Sequence, residues 1–141
     1  MKMKTNRKDN MSKRSSPRKI CSYPMHIKIC KHLLINRVRT DKTQTEMANI
    51  LDVTFQQYQK WEKGNNRIYA EQLLEICSKS KWNVETFVSD PNAILEIYEN
   101  GHEDGYQLDQ MKPEKIGFIK RKFKVLDDLY NNHLNEREQC M

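Results

Sequence analysis

Three glutamines and a lysine fall within the five residues 56 to 60, which are Gln-Gln-Tyr-Gln-Lys. A glutamine amide offers a donor and an acceptor together, which matches N6 and N7 of adenine, and a lysine can reach O6 and N7 of guanine in the major groove. Pairings of this kind discriminate between bases by about 1 to 3 kcal/mol each. If these side chains lie on the outward side of a helix, they can read base edges; the alternative at this stage is a solvated polar helix face.

The remaining reactive side chains show no arrangement that supports catalysis or metal binding. The cysteines form no Cys-x-x-Cys pair, and the histidines form no cluster at metal-ligand spacing. We find no Ser/His/Asp grouping, no paired carboxylates and no glycine-rich phosphate loop. The sequence therefore predicts no metal, no cofactor and no enzymatic activity. The scattered residues are Cys21, Cys30, Cys77, Cys140, His26, His32, His102 and His133.

Charge is distributed unevenly along the 141 residues, whose formal net charge is +6. Residues 1–19 contain eight Lys or Arg against Asp9 alone, whereas residues 83–111 contain seven acids and no Lys or Arg. The basic N-terminal segment is suited to binding a polyanion, and the acidic segment is suited to solvation or to contact with a protein partner. No apolar run approaches the roughly 20 residues of a membrane-spanning helix. We therefore expect a soluble, cytoplasmic protein that makes no membrane contact.

Hydrophobic spacing and capping signals predict a run of short helices. The first begins near His26, with an apolar face at Ile27, Cys30, Leu33, Leu34 and Val38. Thr43 and Glu46 form a capping box that starts the second helix. The predicted inward positions of that helix are Met47, Ala48, Ile50 and Leu51.

Thr54 is a suitable N-cap for a third helix over residues 55–63, which Gly64 would end because glycine adopts the left-handed conformation without penalty. A fourth helix is predicted over residues 70–79, with Leu73, Leu74, Ile76 and Cys77 inward, and a short fifth near residues 83–88. Asp90-Pro91 starts another helix, which Gly101 ends.

Four segments follow from these patterns. Residues 1–24 are predicted to be a disordered basic arm, either a phosphate-contacting arm or a solubilising tail or leader upstream of a start at Met11. Residues 25–89 form a helical domain, and residues 90–112 are a short helix and an acidic linker. Residues 113–141 are a C-terminal amphipathic helix whose seam either mediates dimerisation or regulation, or folds back on the first domain. The seam residues are Ile116, Ile119, Phe123, Leu126 and Tyr130.

Residues 43 to 68 resemble the helix-turn-helix of the lambda-repressor-like family, the Cro/CI or XRE type. The matching residues are Thr43, Gln44, Met47, Ala48, Leu51, Val53, Thr54, Tyr58, Trp61, Glu62 and Gly64. The variant Phe-Gln-Gln-x-Gln-Lys, followed by Gly-x-Asn-Arg-Ile, is similar to a subgroup common in alphaproteobacterial regulators. The resemblance extends over roughly residues 26–88. It implies an all-α fold, with a compact five-helix DNA-binding domain and additional C-terminal helices.

The resemblance also implies roles for individual residues. Base contacts would come from Phe55, Gln56 and Lys60, where Phe55 either packs on a thymine methyl or is a partly buried aromatic. Arg37 and Glu62 would form a structural ion pair. The expected phosphate contacts are Gln44, Thr54, Gln57, Lys63, Asn65 and Arg67.

These features predict a sequence-specific regulator of transcription that binds double-stranded DNA as a homodimer, most often a repressor in this family, in a bacterial or phage-derived, nucleoid-associated setting. The alternative is an antitoxin-type protein that uses the same module for autoregulation while residues 85–141 bind a protein partner. Both interpretations stay open from the sequence.

Overall fold

A computed structural model describes residues 24–101 and 110–139, with side chains up to residue 132. The predicted basic arm lies outside the described residues apart from Pro24, and so does most of the acidic linker. The described ranges are helical and contain no strand, which confirms the predicted all-α class. The helices are α1 (Pro24–Arg39), α2 (Gln44–Leu51), α3 (Phe55–Lys63), α4 (Ala70–Ser80), a 3-10 helix (Val84–Val88), α5 (Pro91–Asn100) and α6 (Pro113–Gln139).

Local capping chemistry sets most helix ends, as the sequence predicts. The Thr43 hydroxyl accepts a hydrogen bond from the Glu46 amide at 3.1 Å, and the Glu46 carboxylate accepts one from the Thr43 amide at 3.2 Å. These two bonds satisfy amide donors that have no partner within the helix. Thr54 caps α3 in the same way, accepting from the Gln57 amide at 3.1 Å. Gly64 ends α3 with a φ of 79°, in the left-handed region that glycine tolerates.

Three other helix ends use the same backbone conformation without glycine. Asp41, Asp52 and Lys81 have φ values of 57°, 56° and 60°. Asp52 follows α2, and its left-handed conformation turns the chain sharply into α3. Lys81 follows α4, and its left-handed conformation turns the chain towards the 3-10 helix.

Helix α1 lies at the centre of the molecule, with a hydrophobic cluster on each side. The cluster on the helix-turn-helix side is formed by Leu33, Met47, Ala48, Leu51, Tyr58, Trp61, Ile76, Cys77, Trp82 and Phe87. The cluster on the opposite side is formed by Leu34, Ile35, Leu95, Met111, Ile116, Ile119 and Phe123. Helix α1 is therefore buried around most of its circumference, and this includes charged and polar positions.

Helix α6 folds back along α1. Ile119 and Phe123 of its seam are buried in the second cluster, and Leu126 contacts Ile27 and Cys30. Lys31, only 5% exposed, forms a 2.8 Å ion pair with Asp127 and lies 4.9 Å from the centre of the Phe123 ring. The seam residues of α6 therefore pack against α1 of the same chain, as in the fold-back alternative.

Three details differ from the sequence prediction. Ile50 was expected inward but is 37% exposed, and Leu74 is 56% exposed. The core cluster instead takes Met47 and Leu51 from α2, and Ile76 and Cys77 from α4. The short fifth helix is a 3-10 helix. Among the described residues, no helix has the length and hydropathy needed to cross a membrane.

Candidate nucleic-acid interface

Helices α2 and α3 are held together by a tight, apolar contact. Ala48 is 2% exposed and accepts a backbone hydrogen bond from Val53 at 3.0 Å, at the turn between the helices. Tyr58 and Trp61 face inward from α3 and meet edge to face, with ring centroids 6.4 Å apart. A side chain larger than alanine at position 48 would push the helices apart. The inner face of α3 is therefore fixed, which also fixes the direction of its outer face.

The outer face of α3 presents the residues expected to contact bases. Phe55, Gln56 and Lys60 are exposed, and Gln57 is half-buried. Phe55 is the first residue of α3 and is 38% exposed. Gln59 is half-buried beside them, so the amide-rich surface extends along one side of the helix.

A buried network joins the start of α2 to the end of α3. The Arg37 guanidinium donates to both Glu62 oxygens, at 2.6 Å from Nε and 3.1 Å from Nη2, and to the Lys42 carbonyl at 2.9 Å. Gln44 Nε2 donates to Glu62 Oε1 at 3.2 Å. The carboxylate therefore accepts from two side chains on two other elements. Because Gln44 is the first residue of α2, the network positions it where helix amides can meet an anion.

The loop that follows α3 presents further polar groups. Lys63, Asn65 and Arg67 at this end of α3, and Thr54 at its other end, are exposed, as phosphate-contacting residues must be. The Gly64 carbonyl accepts a hydrogen bond from His26 Nε2 at 3.3 Å, which ties this loop to α1. The structure thus brings Gln44, Lys63 and Asn65 to the rim of one surface.

Two buried histidines support this arrangement from α1. Burial lowers the pKa of His26, and the nearby Arg67 lowers it further, against the opposing effect of the bond to Gly64. Burial also lowers the pKa of His32, whose Nε2 donates to the Ser89 carbonyl at 2.8 Å. Burial therefore disfavours the charged form of both side chains in the folded protein.

A groove beside this surface was not found by sequence reasoning. It has a volume of about 940 Å³ and lies between α6 on one side and the start of α2 with the loop after α3 on the other. The α6 wall includes Phe118, Lys122, Val125 and Leu129, at spacings of 4, 3 and 4. Phe118, Val125 and Leu129 form a second apolar stripe on α6, beside the buried seam. This stripe is the feature of the sequence that could have indicated the groove. Among the described residues, no group of side chains is suited to hold a metal ion.

Comparison with known proteins gives two relatives of the same name. The chain is 33% identical over 67 residues to an uncharacterized HTH-type transcriptional regulator of Sinorhizobium medicae (strain WSM419). It is equally similar to a protein of that description from Rhizobium meliloti (strain 1021). Each match covers 48% of this chain and 48% of the relative, so the chain spans about half the length of the curated relatives it matches. No family model matches the chain, and no solved structure matches it.

Proposed function

We propose that this protein is a sequence-specific regulator of transcription that binds double-stranded DNA through α3. The observation that carries the proposal is the exposure of Phe55, Gln56 and Lys60 on a helix whose opposite face is locked into the core by Tyr58 and Trp61. A surface of fixed direction with paired donors and acceptors is what direct readout requires. The similarity to two proteins named as HTH-type transcriptional regulators supports the same reading.

In this proposal the base contacts and the phosphate contacts have separate roles. Gln56 and Lys60 read base edges, and Phe55 covers a thymine methyl. The phosphate-contacting set fixes the register of α3 in the groove without reading sequence. Its members are Gln44, Thr54, Gln57, Lys63, Asn65 and Arg67.

We propose a repressor of the Cro/CI or XRE type that acts as a homodimer. The residues at positions 43 to 64 resemble this type, and the buried ion pair between Arg37 and Glu62 supports them structurally. One recognition helix reads only a few base pairs, so two copies on half-sites about one helical turn apart supply useful specificity. Repression then follows from occupation of a promoter and needs no chemistry on the DNA.

A selection of duplexes from a random pool, performed at two salt concentrations, tests the proposal. We expect an enriched motif with two-fold symmetry and a steep loss of affinity with salt, because each phosphate contact releases counterions. Gln56→Ala should relax specificity at one position of each half-site by about 1 to 3 kcal/mol. The matched control is Gln72→Ala on α4, outside this surface, which should leave the motif unchanged.

A shallow salt dependence with no enriched motif would contradict the proposal. The antitoxin alternative would then gain support if a stable basic partner co-purified with the full-length chain. The feature that favours this alternative is the acidic segment around α5, which has no Lys or Arg from position 83 to position 111.

A further inference from the structure

The groove between α6 and the helix-turn-helix combines an apolar floor with a charged rim. Leu34 and Leu126 are buried at its base, while Val125 and Leu129 of α6 are exposed along its wall. Val125 is 54% exposed, although it points into a concave surface. The volume of about 940 Å³ lies within the range of small-molecule sites.

The rim of this groove carries an excess of positive charge. Two of the cations that line the groove are paired with acids that also line it: Arg37 with Glu62, and Lys115 with Asp41. Within the described part of the chain, three further lysines on the rim have no carboxylate partner, and the one remaining rim acid is Glu114. These lysines are Lys42, Lys63 and Lys122. The field of the groove therefore favours an anion.

Apolar floor and cationic rim together restrict the class of occupant. A second copy that used the same surface would bring like charges together, since a two-fold interface pairs a patch with itself. A nucleic acid backbone would satisfy the lysines but would leave Phe118, Val125 and Leu129 uncovered. A small molecule with one carboxylate and one hydrocarbon chain satisfies both.

We propose that this groove is a binding site for an amphiphilic carboxylate of the fatty-acid class. The hydrocarbon chain lies along Phe118, Val125 and Leu129, and the carboxylate meets the lysines of the rim. Gln44, Lys63 and Asn65 border the same groove. A bound carboxylate therefore competes with a DNA phosphate at this edge, and the ligand lowers DNA affinity. This last step rests on the proposed function, whereas the binding site itself does not.

Titration calorimetry on the full-length protein with three probes tests the site directly. Decanoate has both chemical parts, butanoate has the carboxylate with little chain, and decyltrimethylammonium has the chain with the opposite charge. We expect saturable 1:1 binding of decanoate that is about tenfold or more tighter than that of either other probe, a difference of roughly 1.4 kcal/mol. Equal binding of decanoate and decyltrimethylammonium would overturn the proposal.

Matched variants place the binding in the groove. Lys122→Glu and Val125→Glu should each weaken decanoate binding about tenfold or more. Lys124→Glu lies on the same helix but outside the groove, and Val88→Glu replaces another exposed valine elsewhere, so both should stay within about twofold of the unchanged protein. All four positions are at the surface, and circular dichroism with thermal melting checks that each variant is folded. Loss of binding in the control variants as well would place the probe elsewhere and overturn the proposal.

Two further outcomes distinguish the other occupants. If Val125→Glu abolishes self-association in sedimentation while decanoate does not bind, the face belongs to a second copy and the proposal is wrong. In the DNA assay, saturating decanoate should weaken binding to the selected duplex by about tenfold, and Val125→Glu should remove this effect. If no duplex is bound at all, the proposed function fails while the decanoate titration still stands. If DNA is bound and decanoate has no effect, the competition is overturned.

Discussion

Gln44 and Glu62 are joined by a 3.2 Å hydrogen bond between the first residue of α2 and the last turn of α3. The same carboxylate receives two bonds from Arg37, so three elements meet at one buried acid. The proposed phosphate-contacting residue is therefore held by the structural ion pair beneath it. Removing a charge from this network and removing a contact from the DNA surface have different expected effects.

Replacing Gln44 by glutamate should weaken both stability and DNA binding. The new carboxylate cannot donate to Glu62, and it repels Glu62 and a phosphate alike. We expect the free energy of unfolding to fall by about 1 to 2 kcal/mol, since the favourable helix dipole at this position offsets part of the loss. Denaturant unfolding and DNA titration measure the two effects.

The control for this change is Gln72→Glu. The Gln72 side chain accepts a hydrogen bond from the Tyr69 amide at 2.9 Å, at the start of α4, and a glutamate can accept the same bond. Stability and DNA affinity should both stay close to those of the unchanged protein. Equal losses of stability and DNA affinity in the two variants would mean that Gln44 contributes to neither the buried network nor DNA binding.

Glu62→Ala and Gln56→Ala should separate stability from recognition. Loss of Glu62 leaves the buried Arg37 charge without its partner, which costs about 3 to 5 kcal/mol and lowers the melting temperature by roughly 10 °C or more. Gln56 is exposed, so its removal should change stability by less than about 0.5 kcal/mol while it relaxes sequence specificity. Calorimetry and binding to the selected duplex are the measurements. Similar melting temperatures for the two variants would contradict this division.

Ile119→Ala tests whether the α6 seam serves the fold of a single chain. Ile119 is fully buried between α1 and α6, so its truncation should cost about 2 to 5 kcal/mol at any protein concentration. Val125→Ala, on the exposed stripe of the same helix, should cost less than about 1 kcal/mol. A loss in the Ile119 variant that appeared only at low protein concentration would instead indicate that the seam is a dimer contact.

The two buried histidines should make the protein less stable in mild acid. Burial lowers the pKa of both His26 and His32 below 6.5, the usual value for histidine. The unfolded chain therefore binds more protons than the folded chain as the pH falls below 6.5, and the free energy of unfolding falls with it, by at most about 1.4 kcal/mol per pH unit for each histidine. Unfolding in urea at a series of pH values measures the slope.

The control is the double variant His26→Gln with His32→Gln, in which the slope between about pH 7.5 and 5.5 should be much smaller. Asp41 does not disturb this window. Lys115 lowers the pKa of Asp41 below 3.8, so the stability that this group contributes is lost only as the pH falls past that lower range. An unchanged slope in the double variant would assign the acid sensitivity to other groups.

The order of the helices and their ends could be predicted from the sequence because they depend on local chemistry. The hydroxyl of Thr43, the left-handed freedom of Gly64 and the Asp90-Pro91 pair act within one turn of the chain, and each acts as predicted. The outward direction of Gln56 and Lys60 also followed from the spacing of the apolar residues on α3.

The burial of α1 could not be predicted in the same way. A hydrophobic stripe suggests one buried face, yet Lys31 and His32 are buried too, because α6 covers Lys31 and the 3-10 helix with Ser89 covers His32. The covering by α6 depends on contacts between residues far apart in the chain, such as Lys31 with Asp127, which are 96 positions apart. The groove lies at such a long-range junction: the sequence contains the apolar stripe of its α6 wall, but not the pairing of that wall with α2 and the end of α3.

The backbone conformation at Lys81 suggests a substitution that would raise the stability of this protein. Its φ of 60° is unfavourable for a residue with a Cβ atom. A glycine at this bend would relieve the strain without altering α3 or the groove. The stabilised protein would tolerate more strongly destabilising substitutions on the outer face of α3. It would then be a better starting point for designing variants that bind other duplex sequences.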